Sequence, residues 1–420
     1  MDSLSPSRRR SLQWLAAGAL VAATRPLVAK SGCYKAKVSP LTRLTLSFGP
    51  ETGALVPGVD SNGPTAIDGE SSLWFLQAIG GTIKSTPWSI HKGATMDDLQ
   101  RQYDFVPDAH WERPHHDDTW WPEGFWIDPA TGTWFVVMHQ EYNYNKYQKN
   151  PGTGYSIDRF VTISLATSTD QGRSWTHLGE IIGSDHPDDP AYWGDKDYRD
   201  GGQGDPSLYV DDQYFYVYYN ARWLNRGDLD DIYSGVRVAR CRVVDKMMPG
   251  KWQKFYLGQW NQPGLGGHDS DVFNDHYSDT ATVFWSKNRQ LYFAVTLSDQ
   301  KLIPASREWD YRGFISTCTD LNLQNWTKSI QLCERQLKGY YTWVIDPQTR
   351  SRYVMESDRF HWYGYEFSKL KQNRAHWVSI APAPAVPKTL APLYPPVSVD
   401  DYTPGWDSNR FPPCPLKSTT

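Results

Sequence analysis

From about Leu44 onward the chain has almost no segment with helical periodicity; short runs rich in Val, Ile, Tyr, Phe and Trp alternate with turns of Gly, Asn, Asp and Pro. That pattern predicts an all-β chain. One unit recurs, a strand, a polar turn and an aromatic strand: PTAIDGESSLWFLQAI, GFWIDPATGTWFVVMH, SLYVDDQYFYVYYN, TVFWSKNRQLYFAV and TWVIDPQTRSRYVM. With Trp74, Trp134, Tyr216, Tyr292 and Tyr353 as markers, the units lie roughly 60 to 80 residues apart, long enough for a four-stranded blade with inserted loops. Each is followed by a second strand pair that reaches a tryptophan: Trp88, Trp175, Trp252, Trp326 and Trp377. The expectation is an all-β, five-bladed β-propeller of four-stranded antiparallel blades. The outer half of the first blade, 80–100, reads as irregular, which leaves a count of six open.

Composition narrows what such a fold would meet. Of the 420 residues 14% are aromatic, with 20 Trp, 25 Tyr and 15 Phe, and aromatic faces are the flat platforms on which sugar rings stack. A formal net charge of -4, without a basic cluster beyond the N-terminus, argues against nucleic acid or an anionic membrane as partner. The five cysteines, Cys33, Cys241, Cys318, Cys333 and Cys414, lack the close pairing of a zinc site. Cys318 and Cys333 would suit neighbouring strands of one hairpin as a disulfide, and Cys33 with Cys414 would tie the ends together.

The N-terminus, SPSRRRSLQWLAAGALVAA, joins Arg8, Arg9 and Arg10 to an apolar core, Leu15 to Ala23, that is too short to span a bilayer. SRRRSLQ, Ser7 to Gln13, resembles a bacterial twin-arginine signal, with Ser11 where a Phe usually stands. The expected organisation is an export signal over 1–30, the propeller over 31–390 and a Pro-rich tail over 391–420, in a protein exported to the periplasm or beyond. Nothing in the sequence sets an oligomeric state.

In a propeller the first strand of each blade lines the central channel, so residues at the strand starts converge on one mouth. Those positions carry acids: Asp60, then Asp117, Asp118 and Glu123 in HHDDTWWPEGFW, then Asp205 in GDPS, then Asp279. Glu141, in MHQEYN, ends the second strand of its blade at the same mouth, while Asp128 and Asp211 fall in hairpin turns at the other end and are structural. The fifth blade offers Tyr340, Tyr341 and Trp343 and no acid. Carboxylates facing one another perturb each other's protonation, so that one stays a general acid while another stays ionised. Glycoside hydrolysis requires such a pair. The catalytic candidates are Glu123, Asp205, Asp118, Asp60, Asp279 and Glu141, with Glu123 as acid, Asp205 as base or nucleophile and Asp118 tuning the pair. For substrate binding the candidates are an aromatic wall of Trp120, Trp121, Tyr218 and Trp343, with His139 and Arg222 bonding to sugar hydroxyls. No metal-ligating set is expected among the histidines, and no cofactor is required; converging carboxylates would suit a structural calcium ion.

GDPSLYVDDQYFYVYY, Gly204 to Tyr219, and STCTDLNLQNW, Ser316 to Trp326, give the chain from Leu44 to Ile380 a resemblance to the five-bladed propeller glycoside hydrolases that include arabinanases, β-xylosidases, invertases and levansucrases. That resemblance implies a secreted enzyme acting on a plant or microbial polysaccharide or oligosaccharide. It also implies an aspartate of the first blade as base or nucleophile, here Asp60, an aspartate of the second that tunes it, here Asp118, and a glutamate of the third as acid. This chain departs from the pattern by carrying Asp205 at the third position, so the acid falls to Glu123 or Glu141, or the blade count is offset by one. Two other readings are a carbohydrate-binding propeller without catalysis and a sialidase. The latter comes from STDQGRSW, Ser168 to Trp175, which resembles a sialidase Asp-box turn, and would recruit Arg222, Arg237 and Arg359.

Overall fold

The computed structural model describes residues 44–52, 61–78, 87–107, 111, 117–143, 159–184, 198–225, 231–273, 280–300, 310–333, 341–364 and 375–382. All of them belong to one compact unit, Ser39–Thr420. The expected boundaries near residues 30 and 390 lie outside the described residues. Among the described residues helix is confined to two 3-10 turns, Met96–Asp98 and Val243–Asp245.

Among the described residues twenty-two strands assemble into five blades. β1 (Leu44–Thr52) stands apart from its sequence neighbours. The first blade is β2 (Thr65–Ile67), β3 (Leu73–Gln77), β4 (Trp88–Gly93) and β5 (Gln100–Phe105), and the second is β6 (Asp117–Ile127), β7 (Trp134–Asn143), β8 (Arg159–Ser168) and β9 (Thr176–Ile182). The third is β10 (Tyr198–Val210), β11 (Tyr214–Asn225), β12 (Asp231–Arg242) and β13 (Gln253–Tyr256), extended by β14 (Gln259–Pro263). The fourth is β15 (Thr280–Ser286), β16 (Leu291–Gln300), β17 (Asp310–Cys318) and β18 (Ile330–Cys333). The fifth is built from β19 (Thr342–Ile345), β21 (Arg359–Gly364) and β22 (Ala375–Pro382), and its outer strand is β1, antiparallel to β22. The two ends of the propeller therefore close on each other through one sheet, which leaves the ring without an open seam.

Local chemistry explains the hairpins. Asp68 takes the N–H groups of Glu70 and Ser72 and the indole N–H of Trp74, Asp211 those of Gln213 and Tyr214, and Asp346 those of Gln348 and Thr349. Asp128 does the same at the turn of the second blade, where it also meets Lys246. An aspartate that satisfies its own turn needs nothing from the rest of the fold. The outer turn Ser168 to Trp175 is held by Asp170, which accepts from the Ser174 amide and hydroxyl, and by the Trp175 indole N–H on the Gly172 carbonyl.

Three expectations change. From Trp88 onward the outer half of the first blade forms a β3-β4-β5 ladder with one register shift, at Ile90–His91, and Trp88 is fully buried. In the fifth blade the partner of β19 is Arg359–Gly364 rather than the segment around Tyr353; β20 (Val354–Met355) crosses to pair in parallel with β15. Cys318 is a free, buried thiol, and Cys333 stands opposite Gly313 in the ladder, five positions from Cys318, so no disulfide joins them. Burial pushes the thiols of Cys318 and Cys241 up to about 12.

Aromatic layers seal the blades to one another. Trp74, Trp88, Trp120, Trp134 and Trp175 fill the first-to-second interface, Tyr209, Tyr216 and Tyr218 the third-to-fourth, and Phe75, Trp343 and Tyr363 the fifth-to-first.

Candidate active site

The centre of the molecule is organised by two bulges on adjacent innermost strands. In β6 the register slips between Pro122 and Gly124, which face Met138 and Val137, so Glu123 is the extra residue. In β10 it slips between Gly204 and Ser207, which face Asn220 and Tyr218, so Asp205 and Pro206 share one partner position. Each slip involves a proline, which has no N–H to give to the ladder. The consequence is that an acid leaves the regular alternation and turns inward.

Glu123 is fully buried. Its Oε2 accepts the backbone N–H of Asn62 at 2.5 Å. Arg352, itself 3% exposed, lies close enough for the two charges to interact, and donates to the carbonyls of Gly63 and Asn62 at 2.9 and 3.2 Å. Burial holds the Arg352 guanidinium below its ordinary value, with Glu123 acting in the opposite sense. Glu123 thus ties the second blade to the entrance of the first and to the hairpin insertion of the fifth.

Asp205 is 1% exposed, and its carboxylate is met by donors on both oxygens: Asn220 Nδ2 at 2.7 Å and the Tyr341 hydroxyl at 2.8 Å. Hydrogen bonds made to the charged form favour that form. Its own N–H donates to His139 Nδ1 at 2.9 Å, and the other ring nitrogen of His139 lies 3.3 Å from Glu141 Oε1. Asn62 completes the cluster by donating to the Pro206 carbonyl at 3.2 Å. Trp121, partly buried, sets its ring edgewise to His139 at 5.5 Å.

The structure therefore brings Glu123, Asp205, Glu141 and His139 together, and adds Asn62, Asn220 and Arg352, which sequence reasoning did not single out. Tyr341, noted only as an aromatic at the start of the fifth blade, is a direct partner of Asp205. Asp60 and Asp279 lie outside the described residues. Asp118 is the second residue of β6, opposite Tyr142, and Arg222 sits on β11 opposite Gly202; their side chains lie outside the described residues.

The aromatic wall is reduced to Trp121. Trp120 is 4% exposed and packs edgewise on Trp111, Tyr218 is 1% exposed with its hydroxyl on Gln324, and Trp343 is fully buried and stacked on Tyr363. Neighbouring side chains of a strand point to opposite faces, so Trp120 enters the blade interface while Trp121 faces His139. Nor does His139 have a nitrogen to spare for sugar hydroxyls, since both are engaged within the protein.

Among the described residues no three His, Cys, Asp or Glu side chains gather as a metal-binding group. Hard donors are present in another form: the buried oxygens Ser61 Oγ, Asn62 Oδ1 and Asn220 Oδ1 have no hydrogen-bond partner among the described residues.

A second charged cluster lies at a cavity of about 420 Å³ lined by Arg237, Phe255, Asp269, Asp271 and Gln324 among others, and reaches β10 and β11 through Gln203 and Tyr219, which donate to Asp269. Arg237 pairs with Asp269 at 3.2 Å and with Asp271, and burial raises the Asp271 carboxyl to about 6 against the pull of Arg237. With Arg237 committed there and Arg359 exposed on β21, the arginine grip of a sialidase does not assemble among the described residues.

No protein-family model matches the chain, and neither does any curated protein sequence. Solved structures do match in shape. They include an arabinanase of Bacillus subtilis (13% identity, 80% of this chain and 97% of that one, TM-score 0.43) and a family 117 glycoside hydrolase of Zobellia galactanivorans (12%, 86% and 98%, 0.45). A xylan β-1,4-xylosidase of Bacillus halodurans also matches, at 10% identity over 82% of this chain and 61% of that one, with a TM-score of 0.45. At this distance neither a family nor the role of any residue transfers.

Proposed function

We infer that the protein is a glycoside hydrolase that cleaves glycosidic bonds of a polysaccharide or oligosaccharide, with Asp205 as its ionised carboxylate. One observation carries this reading: three carboxylates, of Asp205, Glu123 and Glu141, are buried close together, on β6 and β7 of the second blade and β10 of the third. Burying charge is costly, and clusters of buried acids are found where chemistry needs them. Tyr341 and Asn220 favour the anionic form of Asp205, as a base or nucleophile requires.

Glu123 is the acid expected from the sequence, but it is fully buried and committed to the Asn62 amide beside Arg352. In this reading it supports the site, and the acid is Glu141, which is 7% exposed. Asp60, Asp118 and Asp279 are the further acids proposed for the reaction. The acid gives its proton to the glycosidic oxygen as the bond to the anomeric carbon breaks, and the base takes a proton from the water whose oxygen bonds to that carbon, or attacks the carbon itself. Calcium belongs to this proposal as a structural ion at the oxygens of Ser61, Asn62 and Asn220; adding the ion should then raise the melting temperature and chelation lower it. Export through the Arg8 to Arg10 segment is likewise part of the proposal.

The test is turnover of the full-length chain on a panel of nitrophenyl glycosides and polysaccharides, followed by Asp205→Asn on whichever substrate responds. Glycan binding retained by both proteins with no turnover by either would replace this reading with that of a carbohydrate-binding propeller.

A further inference from the structure

Asp205 carries a Cβ, yet its backbone stands at φ +47°, in the left-handed region. Such a conformation persists only where the surroundings hold it. The Asp205 N–H is one handle, given to His139 Nδ1 at 2.9 Å. The residue before it makes that bond accessible: a Cβ on Gly204 would lie 2.7 Å from His139 Cε1 and 2.8 Å from Nδ1. Only a glycine lets the ring come so near.

The donor also fixes the ring's chemistry. A nitrogen that accepts an amide N–H must present its lone pair, so the single proton of the neutral imidazole sits on Nε2, where it faces Glu141 Oε1 at 3.3 Å. The opposite tautomer has another outlet, since Nδ1 is also 3.4 Å from Asp205 Oδ1. A proton there would be donated to the carboxylate, and the backbone amide would lose its acceptor. The two settings exclude each other, and Glu141 selects between them.

We propose that His139 is the positioning residue for Asp205: held as the Nε2–H tautomer by Glu141, it grips the Asp205 amide and so aims the carboxylate at Asn220 and Tyr341. The consequence for catalysis rests on the hydrolase reading above; the grip itself does not.

Two isosteres separate the atoms involved. His139→Asn keeps an acceptor near the Nδ1 position and loses the arm to Glu141, whereas His139→Gln keeps the arm and loses the acceptor. Misplacing the reacting group by an ångström costs roughly a hundredfold, so kcat of His139→Gln should fall by about that factor with KM unchanged, and His139→Asn should recover most of the loss. Histidine-selective ¹⁵N spectra of the full-length protein report the tautomer without any substrate, and the Asp205 amide resonance should move in the Gln variant far more than in the Asn variant. A proton found on Nδ1, or an Asp205 amide indifferent to both variants, overturns the proposal whatever the activity. Unchanged kcat in His139→Gln, in a protein that Asp205→Asn inactivates, overturns the positioning role and leaves the hydrolase reading standing. The predicted spectra in a protein that turns over no glycoside would retain the grip and remove the hydrolase reading.

Discussion

Replacing Asp205 by Asn changes one oxygen to an amide nitrogen at the centre of the cluster. The side-chain oxygen of Asn can keep the bond from Asn220 Nδ2, now 2.7 Å, while its amide donates to Tyr341, whose hydroxyl can turn from donor to acceptor at 2.8 Å. Asn also tolerates the left-handed backbone at φ +47° better than most residues. The variant loses the extra strength of charge-assisted bonds and is relieved of a buried charge, two effects of about 1 to 3 kcal/mol each and opposite in sign. Thermal stability should therefore stay near that of the wild type. Activity should not: loss of the base or nucleophile removes roughly two to four decades of rate, or about 3 to 6 kcal/mol of barrier at about 1.4 kcal/mol per decade. The assay pairs kcat/KM on the responsive glycoside with calorimetric melting. Activity within tenfold of wild type at an unchanged melting temperature would refute the role of Asp205. Asp205→Ala is the control, since it leaves both donors buried without an acceptor, at about 1 to 3 kcal/mol each, and should melt well below either protein.

Glu123→Gln should keep the Asn62 bond but strip the buried Arg352 of its neighbouring anion; a loss of about 2 to 4 kcal/mol in denaturant unfolding is expected, with a smaller effect on kcat than Asp205→Asn. For Asp271 the sign follows from its raised value of about 6 against 3.8. The folded state binds the proton more tightly, so this residue costs stability as pH rises from about 4 through 6; Asp271→Asn should remove that slope, and a difference from wild type that does not vary with pH would contradict it. Trp343→Ala empties a fully buried site stacked on Tyr363 and should cost about 3 to 5 kcal/mol, with KM for soluble oligosaccharides unaffected; a raised KM at unchanged stability would return Trp343 to the substrate wall.

The hairpins were legible from local chemistry alone. Asp68, Asp128, Asp211 and Asp346 each satisfy amides two or three residues away, so the turn, the strands that flank it and their repetition stand in the sequence, which left the choice between five and six blades to the fold. The expected placing of acids at inner-strand starts was not legible in that way: Glu123 and Asp205 stand at bulges in the middle of β6 and β10. What tertiary structure alone decided is everything that depends on register and closure. β1 joins β22 across almost the whole chain, and no local pattern announces a partner that distant. Trp120 and Trp121 are adjacent and alike in sequence, yet one seals a blade and the other faces the site, because a strand's faces are assigned only when it pairs. The bulges at Glu123 and Asp205 likewise exist only relative to β7 and β11, and Asn62, Asn220 and Tyr341 meet Asp205 from three different blades. Residue types are local and the directions of side chains are not: a one-residue slip between strands reverses every side chain beyond it, and the site of this protein is made of two such slips.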